Sequence, residues 1–346
     1  MARQKRLHVP HATYYVIDQF RPGAEVLVAH PETAHSTQAL ERIAANRQEF
    51  EAQLIALTHR WGVHIDAHCW VPDAALFVLK ISMVSLEGMM HSLRGTYSHY
   101  LHSAGVAGRP HSGRYHARLI DPDEYLLDFS RHVLDTPVRL GLSPSALDYP
   151  HNSFSTWLGE ARATYLEHSR VPKALANRGF VGRTGLVRFL AERPATGFPS
   201  LVRRGSRWDS RIAGTDRFVR ETHRNSDRSR QSDSIEPAIR WVADLLGIGL
   251  EVVMSGRRSH ERTRTLALAS WLLTCSGTAS LSETARWVSC RKSTLHKDIE
   301  RSSRSRPDLF NVRTLSRYLE FVAATPVKHS GAARRKRTPA VDDSAL

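Results

Sequence analysis

Cysteine is scarce in this chain of 346 residues: Cys69, Cys275 and Cys290 are far apart and have no others beside them. That spacing excludes a disulfide framework and a cysteine-rich zinc site. No apolar run approaches the roughly 20 residues that a membrane-spanning helix needs. The basic start from Met1 to Arg6 is not followed by a signal-peptide core. The expectation is a cytoplasmic protein with no membrane partner. Acidic residues are also in short supply, 34 against 49 Lys and Arg, for a net charge of +15. The shortfall is confined to one half: residues 1–165 hold 15 basic and 16 acidic residues, whereas 166–346 hold 34 and 18. A basic half made mostly of arginine fits a polyanion partner, because guanidinium groups suit phosphates and guanine edges.

What is present is enough for proper cores, with 41% hydrophobic residues and length for two or three domains. Residues 12–20 (ATYYVIDQF) read as a strand closed by Arg21-Pro22-Gly23. An amphipathic helix follows over 37–58, carried by Leu40, Ile43, Phe50, Leu54 and Leu57. Residues 61–80 (WGVHIDAHCWVPDAALFVLK) read as two strands joined at Pro72-Asp73. Strict alternation puts Val63, Ile65, Ala67 and Cys69 on one face of the first strand, and His64, Asp66, His68 and Trp70 on the other. Ser85 caps a further helix through Tyr100, and another strand is expected within 113–120. The order β-α-β-β-α-β predicts an α+β, ferredoxin-like (split βαβ) core.

Two stretches after that core carry more specific patterns: DPDEYLLDFSRHVLDTPVRLGL at 121–142 and DYPHNSFSTWLG at 148–159. With the hairpin, they resemble the REP-associated tyrosine transposases of the single-tyrosine HUH superfamily, a likeness that covers residues 8–165. The resemblance implies a DNA transposase. Two histidines on the second hairpin strand would hold a divalent metal, and a tyrosine would attack a phosphodiester to leave a covalent 5′-phosphate intermediate. Aligned on Ala67, Cys69, Val71 and Pro72, those histidine positions fall on Ala74 and Leu76, which cannot ligate a metal. Aligned on Pro137-Val138-Arg139, the tyrosine falls on His132 and a further polar ligand on Thr136. No catalytic residue of the family is intact. Other residues could stand in: Tyr125 lies two helical turns before His132, Tyr115 is in a strand, and histidine can form phosphoramidates. His64, Asp66 and His68 would share a strand face and could together bind a metal, but they read as a solvated or satisfied triplet.

Residues 166–233 read as an irregular basic linker with helical pieces near 184–192 and 215–223, ending in a polar stretch at 224–233. The segment 234–302 reads as an all-α domain, with helices expected at 235–246, 250–254 and 262–274, then a helical pair from Ser280 to Arg301. Leu281, Ala285 and Val288 can pack against Leu295 and Ile299 across a turn at Ser289-Cys290, the pattern of a helix-turn-helix without its usual glycine. This module resembles the duplex-DNA-binding C-terminal domain of the replication initiator DnaA. The resemblance assigns DNA contacts to Arg257 and Arg258 in a basic loop, and to Arg291, Lys292, Ser293, Thr294, His296 and Lys297 at the start of the second helix. A C-terminal helix is expected within 303–324 and a disordered basic tail over 325–346.

The sequence therefore predicts a transposase-like core followed by a helix-turn-helix domain, in a DNA-binding protein that has lost strand cleavage and is retained for DNA binding or regulation. Duplex DNA is the expected partner of the helix-turn-helix, and the core is the candidate for single-stranded hairpins. No cofactor is expected. The alternative is an active transposase or nuclease using non-standard residues, which would need a divalent metal. A third reading is a decaying gene product without a selected function.

Overall fold

The computed structural model describes residues 7–324 apart from 8, 34, 83–84, 229–234, 257–258 and 277. Strand β1 (Thr13–Gln19) leads into helix α1 (Thr37–Trp61), capped by Ser36, whose side chain accepts from the Ala39 amide at 3.2 Å. Gly62 ends the helix in the left-handed region, at φ 59°, where a residue without Cβ sits without strain. The hairpin β2 (His64–Val71) and β3 (Ala74–Lys80) follows, then α2 (Leu86–Ser103) and β4 (His116–Ile120). A two-residue strand, β5 (Ile212–Ala213), arrives much later and pairs parallel with β4. The sheet order is β2-β3-β1-β4-β5, with every pair except β4–β5 antiparallel. The chain is thus an α+β protein.

Alternation along β1 loads both faces of the sheet. Tyr14, Val16 and Phe20 meet Phe50, Leu54, Leu93 and Tyr97 from α1 and α2. Tyr15 belongs to the opposite layer. That layer is covered by α3 (Pro122–Leu134), and by four further short helices: α4 (Thr136–Arg139), α5 (Phe154–Trp157), α6 (Val171–Asn177) and α7 (Gly182–Ala191). It is completed by α8 (Phe198–Arg204), whose Phe198 packs edge-on against Phe129 at 5.0 Å. The segment read as an irregular linker with helical pieces therefore lays α6, α7 and α8 on the sheet's second face and adds β5 to its edge.

Strict alternation fails in β2. A bulge at Asp66, between the pairs Ile65–Leu79 and Ala67–Val78, shifts the register. Ile65 and Trp70 join the α1/α2 layer, whereas Ala67, Cys69 and Val71 join the α3 layer. The His64, Asp66 and His68 triplet is divided accordingly. Asp66, with no solvent exposure, accepts from the Arg170 amide at 2.8 Å and from Arg170 Nε at 3.1 Å. His68 is buried, its Nδ1 3.0 Å from Ser153 Oγ and its Nε2 3.4 Å from the Tyr165 hydroxyl. Residues 151–153 lie along the outer edge of β2, with Trp70 N–H donating to the His151 carbonyl at 2.8 Å and Ser153 N–H to that of His68 at 3.2 Å. They blunt an edge that would otherwise present unpaired backbone groups.

Helix α9 (Asp216–Arg228) follows β5, and among the described residues every element after it is a helix: α10 (Ile235–Leu246), α11 (Leu250–Met254), α12 (His260–Ser276), α13 (Leu281–Trp287), α14 (Lys292–Ser305) and α15 (Val312–Ala324). Helix α12 is buried on all sides from Thr265 to Leu273, as a central helix must be. Its Trp271 ring lies 5.6 Å from that of Trp61 at the end of α1. Ser85 links the two halves. Its hydroxyl accepts from the Gly88 amide to cap α2 and donates to the Thr274 carbonyl, while its amide donates to the Cys275 carbonyl at 2.7 Å. Among the described residues no helix is long and apolar enough to cross a membrane.

Three histidines are held neutral. Burial, and after it His151, pushes His68 down from 6.5 to about 3. Burial and then Arg139 lower His132 to about 3, and burial and then Arg47 lower His151 to about 4. The unfolded chain takes up these protons near pH 6.5 and the folded chain resists until far lower, so stability is complete above about 6.5 and drains as pH falls below it. Thermal melts are expected to show the midpoint dropping between pH 7 and 5, above the range of ordinary carboxylates. The drop should be shallower in His68→Gln, even if that variant melts lower at pH 7. An unchanged slope would mean that His68 is not one of the groups responsible.

Candidate nucleic-acid interface

Helix α3 begins at Pro122, whose missing amide hydrogen is no loss in a first turn, and its apolar stripe of Leu126, Phe129 and Val133 packs on β2 and β3. His132 stands beside that stripe. The four positions picked out from the sequence fall on β3, α3 and α4. Ala74 opens β3, and Leu76, 4% exposed, sits in the same apolar layer as Phe129 and Val133. The Thr136 hydroxyl donates to the His132 carbonyl at 3.0 Å. Arg139, until now only an alignment anchor, ties His132 to Thr136. It donates to the His132 carbonyl at 2.8 Å, to Thr136 Oγ1 at 2.9 Å and to His132 Nε2 at 3.3 Å.

Arginine has no acceptor, so the Nε2 lone pair of His132 is the acceptor and its proton resides on Nδ1. The imidazole is a neutral, engaged base. A tyrosine does lie beside it, on a strand outside the aligned motifs. The Tyr15 ring on β1 is 5.6 Å from His132, edge to face. Tyr15 is 5% exposed, and burial raises its phenol to about 12 despite the opposing influence of Arg139 and Arg118. Tyr125 is half-buried in the first turn of α3 and Tyr115 is buried just before β4. Among the described residues, no group of three His, Cys, Asp or Glu side chains could hold a metal ion.

The second set of positions lies on α13 and α14. Ser280 and Glu283 form a reciprocal cap on α13, Ser280 Oγ accepting from the Glu283 amide at 3.2 Å and Glu283 Oε2 accepting from the Ser280 amide at 2.7 Å. Ala285 and Leu295 are buried between the helices, with Leu281 and Ile299 half-buried against the same core. The turn passes through Ser289 at φ 54°, in the left-handed region. The Cys290 amide donates back to the Ala285 carbonyl at 2.9 Å, closing α13. Arg291 occupies the N-cap of α14. Arg291, Lys292, Ser293, His296 and Lys297 are exposed, Thr294 is half-buried, and Leu295 anchors the opposite side.

His296 marks the border with the core, its ring 5.7 Å from that of His91 on α2. Burial first, then the neighbouring His296 and Lys292, lower the His91 pKa. Arg257 and Arg258 lie outside the described residues. Next to them, Ser259 Oγ accepts from the Arg262 amide at 3.0 Å, and Arg262 Nε donates to the Val253 carbonyl at 2.9 Å, tying the start of α12 to α11.

No protein-family model matches the chain, and no curated protein matches it in sequence. Among solved structures, a REP-associated tyrosine transposase bound to a REP hairpin matches with a TM-score of 0.37 and 12% identity, over 46% of this chain and 86% of that one.

The left-handed Ser289 is a local test of the turn. Glycine meets no Cβ penalty there, whereas a β-branched residue is at its worst. Ser289→Gly is expected to be neutral or stabilising by up to about 1 kcal/mol, and Ser289→Val destabilising by about 1–2 kcal/mol. Urea unfolding of the full chain measures both. The reverse ranking would mean that the turn does not adopt this conformation.

Proposed function

We propose that this chain is a DNA-binding protein on a transposase-like, ferredoxin-like core, that its strand-cleaving residues have been replaced, and that it reads duplex DNA through α14 of a helix-turn-helix. The observation that carries the reading is the placement of Arg291, Lys292, Ser293, His296 and Lys297 in solvent on a helix held from behind by Leu295. Such a helix offers its first turns to a major groove, with His296 on the edge that borders His91. The strand order β2-β3-β1-β4, with α1 and α2 on one face, supports a split βαβ core. Leu76 in the layer beneath α3 supports an alignment that puts Ala74, Leu76, His132 and Thr136 around one family site.

The chemistry at that site argues against cleavage. Ala74 and Leu76 offer no lone pair to a metal, and the lone pair of His132 faces a guanidinium. The rival reading, an active transposase or nuclease with non-standard residues, rests on Tyr15 beside His132 and would need a divalent metal. A buried phenol titrating near 12 is poorly prepared for nucleophilic attack.

Two outcomes are expected. In a binding selection on duplex sequences, Arg291→Ala and Lys292→Ala change the ranking, each base contact being worth about 1–3 kcal/mol. Arg257→Ala lowers affinity without changing the ranking, and reduces the salt slope by about one. If all three variants fold and bind every sequence as the unaltered protein does, α14 is not a duplex reader. Separately, labelled DNA hairpins incubated with Mg²⁺ or Mn²⁺ should give no covalent protein–DNA adduct. An adduct that forms and is lost in Tyr15→Phe or His132→Ala would establish the rival.

A further inference from the structure

The loop between α8 and β5 carries Trp208, 66% exposed, in a chain where most tryptophans are buried or half-buried. A single exposed apolar residue needs no explanation by itself. This one is held in position. Its indole Nε1 donates to Asp216 Oδ1 at 3.0 Å, and the Arg207 guanidinium lies 4.8 Å from the ring centroid while pairing with the other oxygen of the same carboxylate. Asp216 thus fixes both the indole and the cation stacked on it, leaving most of the ring in water.

The loop beneath is equally constrained. The Ser206 amide donates to the Ile212 carbonyl at 2.6 Å, and Ser206 Oγ both accepts from the Asp209 amide and donates to the Asp209 carbonyl, each at 3.0 Å. Gly205, at φ 73°, lets the backbone of Ser210 approach to 2.5 Å of where a Cβ would stand. Asp209 is buried and satisfied by Arg211 and by His223 at 3.2 Å. The tip bearing Trp208 is therefore preorganised.

Its surroundings are basic. Arg203 and Arg204 at the end of α8, Arg207 in the loop, and Arg217 and Arg220 at the start of α9 are exposed, with Asp216 engaged by Arg207 and Glu221 by Arg217. An aromatic face with a stacked arginine, inside an arginine field, has the chemistry that takes an unpaired nucleobase and the phosphates on either side of it. Helix α8, about 10 Å long, connects this tip to the site under α3, because Phe198 at its other end lies 6.0 Å from His132. We propose that Trp208 and Arg207 form a stacking platform for single-stranded DNA. A duplex keeps its bases stacked inside, so the platform selects unpaired strands. The proposal is independent of α14: either surface can fail with the other intact.

The test uses the full chain, a fluorescent oligo(dT), an oligo(rU) of equal length and a duplex, at one fixed salt concentration. Loss of one stacked base typically costs about 1–3 kcal/mol. Trp208→Ala is therefore expected to weaken oligo(dT) binding roughly 5- to 150-fold. Trp208→Phe, which keeps a ring but loses the N–H to Asp216, should bind oligo(dT) more tightly than Trp208→Ala, and duplex binding should stay within about twofold in both variants. Because Trp208 is exposed and its loop is tied by backbone contacts, Trp208→Ala should keep the melting temperature of the unaltered protein. The proposal is overturned if the protein does not bind oligo(dT), if Trp208→Ala binds it within twofold of the unaltered protein, or if Phe fails where Ala fails. An equal loss on duplex would mean a general phosphate surface, and Trp208-dependent binding of oligo(rU) alone would assign the platform to RNA; either result overturns the DNA assignment.

Discussion

Asp66 is a carboxylate without solvent contact, and Arg170 compensates it through its amide as well as its guanidinium. The same guanidinium reaches Thr13 Oγ1 at 2.9 Å, and Ser169 Oγ donates to the Asp66 carbonyl at 2.7 Å. A buried charge of this kind is tolerable only when fully partnered. The pair therefore requires α6 to lie against the sheet where β2 bulges. The bulge, in turn, sends Trp70 and His68 toward α1 while Cys69 and Val71 face α3. Both layers of the molecule take their registration from this point.

A charge that must be neutralised by a residue 104 positions away cannot be recognised from spacing alone. The alternation of apolar residues in β2 was legible in the sequence, yet the extra residue that breaks it was not. Asp66 resembles any polar residue on the outside of a half-buried strand. The long elements were easier. Ser36 and Ser85 announce α1 and α2, the five-residue α11 appears at 250–254 as read, and the pair around Ser289 follows from Leu281, Ala285 and Leu295. In each case the information is local: a cap, a period, or a turn residue. Within 166–228, α7 and α9 fall where helical pieces were read, whereas α6, α8 and β5 were missed because they are short and depend on burial against the sheet rather than on a periodic stripe of their own.

The candidate site was legible in the same uneven way. His132 and Thr136 could be placed by their distance from Pro137-Val138-Arg139, but the role of Arg139 in filling the lone pair of His132 arises only from how α4 folds back on α3. Tyr15 was read only as part of a strand, because nothing in a β-branched, aromatic run marks which ring will stand under α3. Trp208 lies in the irregular basic stretch, where no local pattern singles it out. Its interest comes from Asp216, which orients the ring and its arginine together.

Ser85 has a consequence for how the molecule responds as a whole. One hydroxyl serves the start of α2 and the end of α12, with the Trp61–Trp271 contact beside it. Fraying α2 would thus loosen α12, and α12 is the pillar on which α10, α13, α14 and α15 rest. The sheet and the helical region are expected to lose structure in one cooperative transition rather than as beads on a string. A ligand gripping α14 would then protect amides in β1 and β3 from hydrogen exchange, although it touches neither strand.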